Sequence, residues 1–201
     1  MGGAKELLSK RSIFRTNPMI FVTVGTHEQQ FNRLIENVDC LREMNRIKEN
    51  VFIQIGYSSY EPKYCEYSRF LKFEEVMSFI SRARIVITHA GPGSIFPILY
   101  FGKIPIVVPR QKKFGEHVDD HQVYFCRRME RMNKIIAIYN IENLEHAIIN
   151  YNQLVESLGS EKKCKEINSI KNYIKALEQI CDRLFQKGKP KLMGNTKRLN
   201  K

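Results

Sequence analysis

Long apolar runs are missing from this chain of 201 residues. Its longest, such as Ile85 to Ile87 and Ile104 to Val108, stop well short of the ~20 residues a bilayer crossing requires. No signal-peptide pattern opens the sequence either, so a cytosolic protein is expected. Paired cysteine spacing is also missing. Cys40, Cys65, Cys126, Cys164 and Cys181 are scattered without a CxxC, which suggests neither a disulfide framework nor a zinc site and leaves reduced, packed thiols as the expectation. Internal repeats and low-complexity tracts are absent. With 43% apolar residues, the chain is long enough for one real core and too short for two ordinary domains.

Charge is present in excess, at a formal +12, but it is unevenly spread. Residues 1–18 carry Lys5, Lys10, Arg11 and Arg15 against Glu6, and residues 187–201 carry Lys187, Lys189, Lys191, Lys197, Arg198 and Lys201 with no acid. The body between them is close to balance. A nucleic-acid-binding protein is therefore disfavoured, since the basic footprint sits on the ends and not on the globule. Two readings of the ends remain open: peripheral attraction to anionic lipid headgroups, or tails that only keep the protein soluble. The division expected is a basic extension over 1–18, a folded domain over 19–186 and a basic disordered tail over 187–201.

Within the body, strands alternate with helices. Met19 to Gly25 reads as the first buried strand. Phe31, Leu34, Ile35, Val38 and Leu41 fall at helical offsets, which predicts an amphipathic helix to about Lys48. A second strand over Val51 to Ile55 ends at Gly56, and a tyrosine-rich loop runs from Tyr57 to Tyr67. A short strand at Arg69 to Phe73 and a helix at Glu74 to Arg82 follow. Strand four, Arg84 to Thr88, runs into a helix from about Ser94 to Phe101, and strand five is Ile104 to Val108. Arg110 to His117 reads as a mobile loop. Asp119 to Gln122 opens the next helix, Ile135 to Ile138 is a short strand, and helices are expected at Ile141 to Leu158 and Glu161 to Phe185. This spacing predicts an α/β fold, a single Rossmann-like domain with a parallel sheet covered on both faces.

In such a sheet, ligands bind beyond the carboxyl ends of the strands. Two glycine turns fall there: Val24-Gly25-Thr26-His27 and His89-Ala90-Gly91-Pro92-Gly93-Ser94. The second precedes a helix whose positive end suits a diphosphate. Neither turn matches GxGxxG or a Walker P-loop, so a nicotinamide enzyme and a P-loop ATPase are disfavoured.

The string ITHAGPGSIFPILYFGKIPIVVPRQKKFGEHVDDHQ, together with VTVGTHEQQFNRLI near the start, resembles the C-terminal, donor-binding domain of family 28 glycosyltransferases. The nearest likeness is to the small catalytic subunits of split, two-component enzymes in capsule, exopolysaccharide and dolichol-linked glycan synthesis. It covers roughly residues 19 to 150. The resemblance implies the C-terminal half of a GT-B enzyme that uses a UDP-sugar as donor substrate, with no further cofactor and no metal. It implies inverting transfer of a hexose (N-acetylglucosamine, galactose or glucose) to a polyprenyl-diphosphate-linked saccharide. The acceptor site would lie on a membrane-anchored partner subunit, holding this chain at the inner face of the membrane. By motif position, His89, Gly91, Gly93 and Ser94 would hold the diphosphate, Gly25 and Thr26 would lie against it, and Asp120, His121 and Gln122 would meet sugar hydroxyls. A non-catalytic, stimulatory subunit is the alternative.

Catalysis needs fixed donors for the leaving group, with imidazolium at His89 as one contributor, and a general base. His27 is a candidate for the base, against a reading as a cap or surface residue; His117 and His146 read as surface residues. Pro97 stands where related enzymes carry a ribose-gripping acid, and is expected in the first turn of its helix. The apolar stripe from Ile167 to Leu184 suits either docking on a partner or covering the chain's own sheet.

Overall fold

The computed structural model describes residues 18–158. Six strands form one sheet: β1 (Met19–Thr23), β2 (Asn50–Gln54), β3 (Glu66–Ser68), β4 (Ile85–Thr88), β5 (Ile106–Val107) and β6 (Ile136–Ala137). The order is β3-β2-β1-β4-β5-β6 and every pairing is parallel. This is the doubly wound arrangement with its switch between β1 and β4. Among the described residues, the α-helices are α1 (Asn32–Glu43), α2 (Phe73–Arg82), α3 (Pro92–Tyr100), α4 (His121–Arg131), α5 (Leu144–Ile149) and α6 (Tyr151–Ser157).

All five residues of β1 are buried, because alternate side chains enter opposite layers. Ile20 and Val22 pack with Leu34, Ile35 and Val38 of α1, while Met19 and Phe21 pack with Ile80 of α2 and Ile98 of α3. Burying each such side chain contributes roughly 2 kcal/mol. The register pairs Phe21 with both Phe52 and Val86, which brings the ends of β1 and β4 level. Both glycine turns therefore emerge side by side.

Several boundaries differ from the sequence reading. The first helix stops at Glu43, not Lys48, because Asn45 takes a φ of 56° and turns Ile47 back into the core. The third strand is Glu66–Ser68, overlapping the end of the Tyr57 to Tyr67 stretch read as loop, and Arg69 to Phe73 is not a strand. As an edge strand it is mostly exposed and carries little apolar pattern. What holds the tyrosine-rich loop is Asp39, whose buried carboxylate accepts from Tyr60 Oη and from the Lys63 and Tyr64 N–H groups, each at 2.8 Å. Burial alone would raise its pKa, but these hydrogen bonds outweigh it and the net shift is downward. The single helix expected over Ile141 to Leu158 is instead a 3-10 turn and two short helices that meet at Asn150. Residues 1–17, the helix and stripe beyond Leu158, and the C-terminal tail lie outside the described residues.

Candidate functional site

Where β1 and β4 end, a cavity of about 580 Å³ opens. Gly25, Thr26 and His27 line one side, and His89, Gly93, Ser94 and Pro97 line another; Leu71, Phe73, Val76, Met77 and Ile80 form an apolar wall. Six of the residues selected from the sequence thus share one cavity.

Its geometry centres on His89. The imidazole is 9% exposed and its Nε2 lies 3.0 Å from Ser94 Oγ. Two glycines from different turns clamp it. A Cβ on Gly25 would stand 2.5 Å from Nε2, and one on Gly91 would stand 2.2 Å from Cε1. Gly25 also holds a φ of 74°, which L side chains rarely adopt. Burial, and next the charge of Arg110, pull the His89 pKa down to about 3, against an opposing contribution from Gln122. Burial thus favours neutral imidazole over imidazolium at His89.

Helix α3 begins at Pro92, two residues earlier than expected, with proline at its first position, where no N–H is needed. Ser94 N–H already bonds Gly91 O at 3.0 Å, so the first-turn group open to a ligand is Gly93 N–H. A Cβ on Gly93 would meet nothing within 4 Å. The earlier start also moves Pro97 from the first turn to the second, inside the helix. There it denies the Gly93 carbonyl its usual i+4 donor.

Asp120, His121 and Gln122 do not line this cavity. Gln122 is buried, and its Oε1 accepts from Ala90 N–H at 3.2 Å and Arg110 N–H at 3.3 Å, so it ties the second glycine turn to the segment after β5. Asp120 accepts from Lys112 N–H at 2.9 Å, and both it and His121 are exposed. A row of imidazoles joins His121 to the cavity: His27 and His117 have ring centroids 4.6 Å apart, and His117 and His121 4.4 Å. His117 is buried, not a surface residue, and burial lowers its pKa; His146 is exposed as expected. His117, Asp119 and His121 each bring a ligand atom within 4.8 Å of the others. Asp119 Oδ1 also accepts from His121 N–H at 3.1 Å, so the turn's own hydrogen bonds account for that grouping.

The segment from Arg110 to His117 is not the mobile loop expected from its polarity. Arg110 is fully buried; Nη1 donates to the carbonyls of Gln29, Gln30 and Glu116 at 2.8, 3.0 and 3.2 Å, and Nη2 to that of Val24 at 2.9 Å. Burial pulls its pKa down to about 10. The Glu116 carboxylate is held by Arg33 at 2.7 and 2.9 Å and by Gln111 N–H at 2.9 Å. These bonds fix the backbone leading into Gly25, and nothing local in the sequence signals them. The apolar wall was equally unmarked: Leu71, Phe73, Val76 and Met77 read only as helix or strand residues.

A doubly wound sheet with a glycine-lined, largely apolar cavity at its switch point is the arrangement of a ligand-binding α/β domain. The comparisons with known proteins narrow the class. Residues 19–178 match the glycosyltransferase family 28 C-terminal domain, and the chain belongs to that family. It is 30% identical over 142 residues to a Yarrowia lipolytica protein named UDP-N-acetylglucosamine transferase subunit ALG13, covering 63% of this chain and 67% of that one. A Candida albicans protein of the same name is 24% identical over 159 residues, covering 72% of this chain and 53% of its own length. Among solved structures, the kitacinnamycin glycosyltransferase superposes with a TM-score of 0.55 at 15% identity, over 80% of this chain and 40% of that one. CalG4, the calicheamicin glycosyltransferase, gives 0.55 at 14% identity, over 86% and 45%. These likenesses show the fold, and this chain spans less than half of each of those enzymes.

Proposed function

We propose that this chain is the donor-binding half of an inverting glycosyltransferase that uses a UDP-hexose. The observation that carries the reading is the clamped His89–Ser94 pair beneath the start of α3, facing a cavity of about 580 Å³. The diphosphate would lie on Gly93 N–H and Ser94 Oγ, within the positive field of the helix N-terminus. The flat face of the uracil suits the apolar wall of Leu71, Phe73, Val76 and Met77. Exposed Asp120 and His121, at the far end of the imidazole row, are left to meet hydroxyls of the hexose.

In the reaction, an acceptor oxygen forms a bond to the anomeric carbon as the bond from that carbon to the β-phosphate oxygen breaks. The electron pair of the broken bond passes to the departing UDP. Fixed N–H and O–H dipoles stabilise that charge without reorganising. Neutral His89 holds Ser94 Oγ and thereby its direction. The acceptor's proton needs a base; His27 lines the cavity with its Nδ1 accepting from Gln29 N–H at 3.2 Å, which leaves Nε2 as the nitrogen to take the proton, and no carboxylate lines the cavity among the described residues. A membrane-anchored partner subunit would bring the acceptor, a polyprenyl-diphosphate-linked saccharide, to the inner face of the membrane. The names of the fungal relatives, each a transferase subunit, support a two-chain enzyme.

The absence of a lining carboxylate also favours a second reading, in which the chain binds nucleotide and only stimulates its partner. Transfer of labelled hexose from UDP-hexose to a lipid-linked acceptor, by this chain reconstituted with its partner, separates the two. A catalytic half loses transfer at least about a hundredfold on Ser94→Ala and on His27→Ala falls further still; a stimulatory subunit retains most of it in both variants.

A further inference from the structure

Helix α4 buries one face and presents the opposite one to solvent. Gln122, Cys126 and Met129 point into the fold, and at about 100° per residue Tyr124, Arg127, Arg128 and Arg131 fall on the far side. All four are exposed, Tyr124 at 66%. The ridge they form is about 10 Å long and carries no acid. Glu130, on its flank, accepts from Tyr139 Oη at 2.8 Å. At the amino-terminal end, Lys113 shares a hollow with Tyr124 and Arg127; Asp120, in the same hollow, accepts from Lys112 N–H at 2.9 Å.

These arginines are set apart by having no role inside the fold. Arg33, Arg46, Arg69 and Arg84 each pair with a glutamate. Arg42 and Arg82 donate to the carbonyls of Ile47 and Ser78, and Arg110 is bound in the interior. Among the described residues, Arg127, Arg128 and Arg131 have no carboxylate or carbonyl partner. The helix dipole favours a cation in the last turn, which accounts for Arg128 and Arg131 singly but not for Tyr124 and Arg127 on the same line. Guanidinium forks suit phosphate oxygens better than ammonium groups do. A tyrosine ring facing outward suits the boundary between headgroups and water, and a convex ridge meets a plane of phosphates along its whole length. We propose that the α4 ridge is a contact site for an anionic phospholipid surface, so that the folded domain itself, and not only its basic ends or a partner subunit, touches the membrane. His121 is the first residue of α4, one turn from Tyr124. On the donor-binding reading above, the contact keeps the hexose end of the site beside the bilayer that presents a lipid-linked acceptor.

The test is vesicle flotation with the full chain, on phosphatidylcholine alone and on an equimolar mixture with phosphatidylglycerol. The triple variant R127Q/R128Q/R131Q keeps helix propensity and should lower partition onto the anionic vesicles about a hundredfold, since each such charge near the surface contributes about fivefold. K48Q/K63Q/K72Q removes the same charge from exposed positions elsewhere and should lower it less than about fivefold. The chain has no tryptophan, so Tyr124→Trp installs a single reporter on the ridge. Its emission should move to shorter wavelength on anionic vesicles and stay unchanged on phosphatidylcholine. A reporter placed by Tyr67→Trp, on edge strand β3 at the other side of the sheet, should not respond to either. Equal losses in the two triple variants, or a silent reporter at position 124, would overturn the proposal. So would an equal emission shift caused by duplex DNA, or by the partner subunit without vesicles. UDP titration reads the donor cavity separately, so failure of either reading leaves the other to stand on its own result.

Discussion

The imidazole of His89 occupies the volume that any side chain on Gly25 would need: a Cβ there would lie 2.5 Å from Nε2. Residues distant in sequence are thereby locked at the level where β1 and β4 end, and the left-handed φ of 74° at Gly25 adds a second penalty to substitution. Gly25→Ala is expected to cost about 3 kcal/mol, from overpacking and the strained backbone together. Chemical denaturation should show a lower midpoint with an unchanged slope.

Gly93→Ala should behave in the opposite way. A Cβ there meets nothing within 4 Å, and alanine improves helix propensity by up to about 1 kcal/mol. Stability should hold or rise while UDP affinity falls by at least about tenfold, because the added methyl intrudes on a phosphate approaching the first turn. Calorimetry on the same preparation used for denaturation reads both quantities.

Burial of His89 makes stability depend on pH in a defined window. Its pKa lies at about 3 in the folded chain against an ordinary 6.5, so the unfolded state binds more protons between those values. The contribution is fully present above pH 6.5 and is lost progressively as pH falls toward 3. Replacing His89 with Gln should flatten this part of the acid limb relative to the native chain, as read from denaturation midpoints at pH 7, 6, 5 and 4.

Arg110 supplies donors to four backbone carbonyls around the first glycine turn. Arg110→Met leaves those acceptors unmatched in the interior and should cost about 3 kcal/mol. Arg110→Lys should recover part of the loss, because an ammonium has three donors but not the guanidinium's planar reach. Hydrogen exchange should locate the damage at residues 24–30 and 110–117, with the amides of β1 and β4 still protected.

The contrast between what could and could not be read from the sequence follows from the range of each interaction. Met19 to Thr23 and Ile85 to Thr88 announced themselves as buried strands because each is a continuous apolar run that needs layers on both faces. The helix carrying Leu34, Ile35 and Val38 was visible in its spacing, and the two glycine turns followed from where the strands end. Edge strand Glu66–Ser68 carried no such pattern. Pro92 is itself a helix-start signal, and weighing it would have placed Pro97 in the second turn. Arg110 sits in a basic, polar segment that resembles a mobile loop; three of its four acceptors, the carbonyls of Val24, Gln29 and Gln30, lie 80 or more residues away in sequence and no local spacing reveals them. His117 looked like a surface residue for the same reason. Its burial depends on His27, from a different turn.

The most direct test of the donor-binding account is a crystal structure of the chain with its partner, grown with UDP. The account predicts the diphosphate on Gly93 N–H and Ser94 Oγ, the uracil against Leu71 and Phe73, and the ribose beside Pro97. UDP bound elsewhere, or a cavity filled by the partner's own side chains, would contradict it.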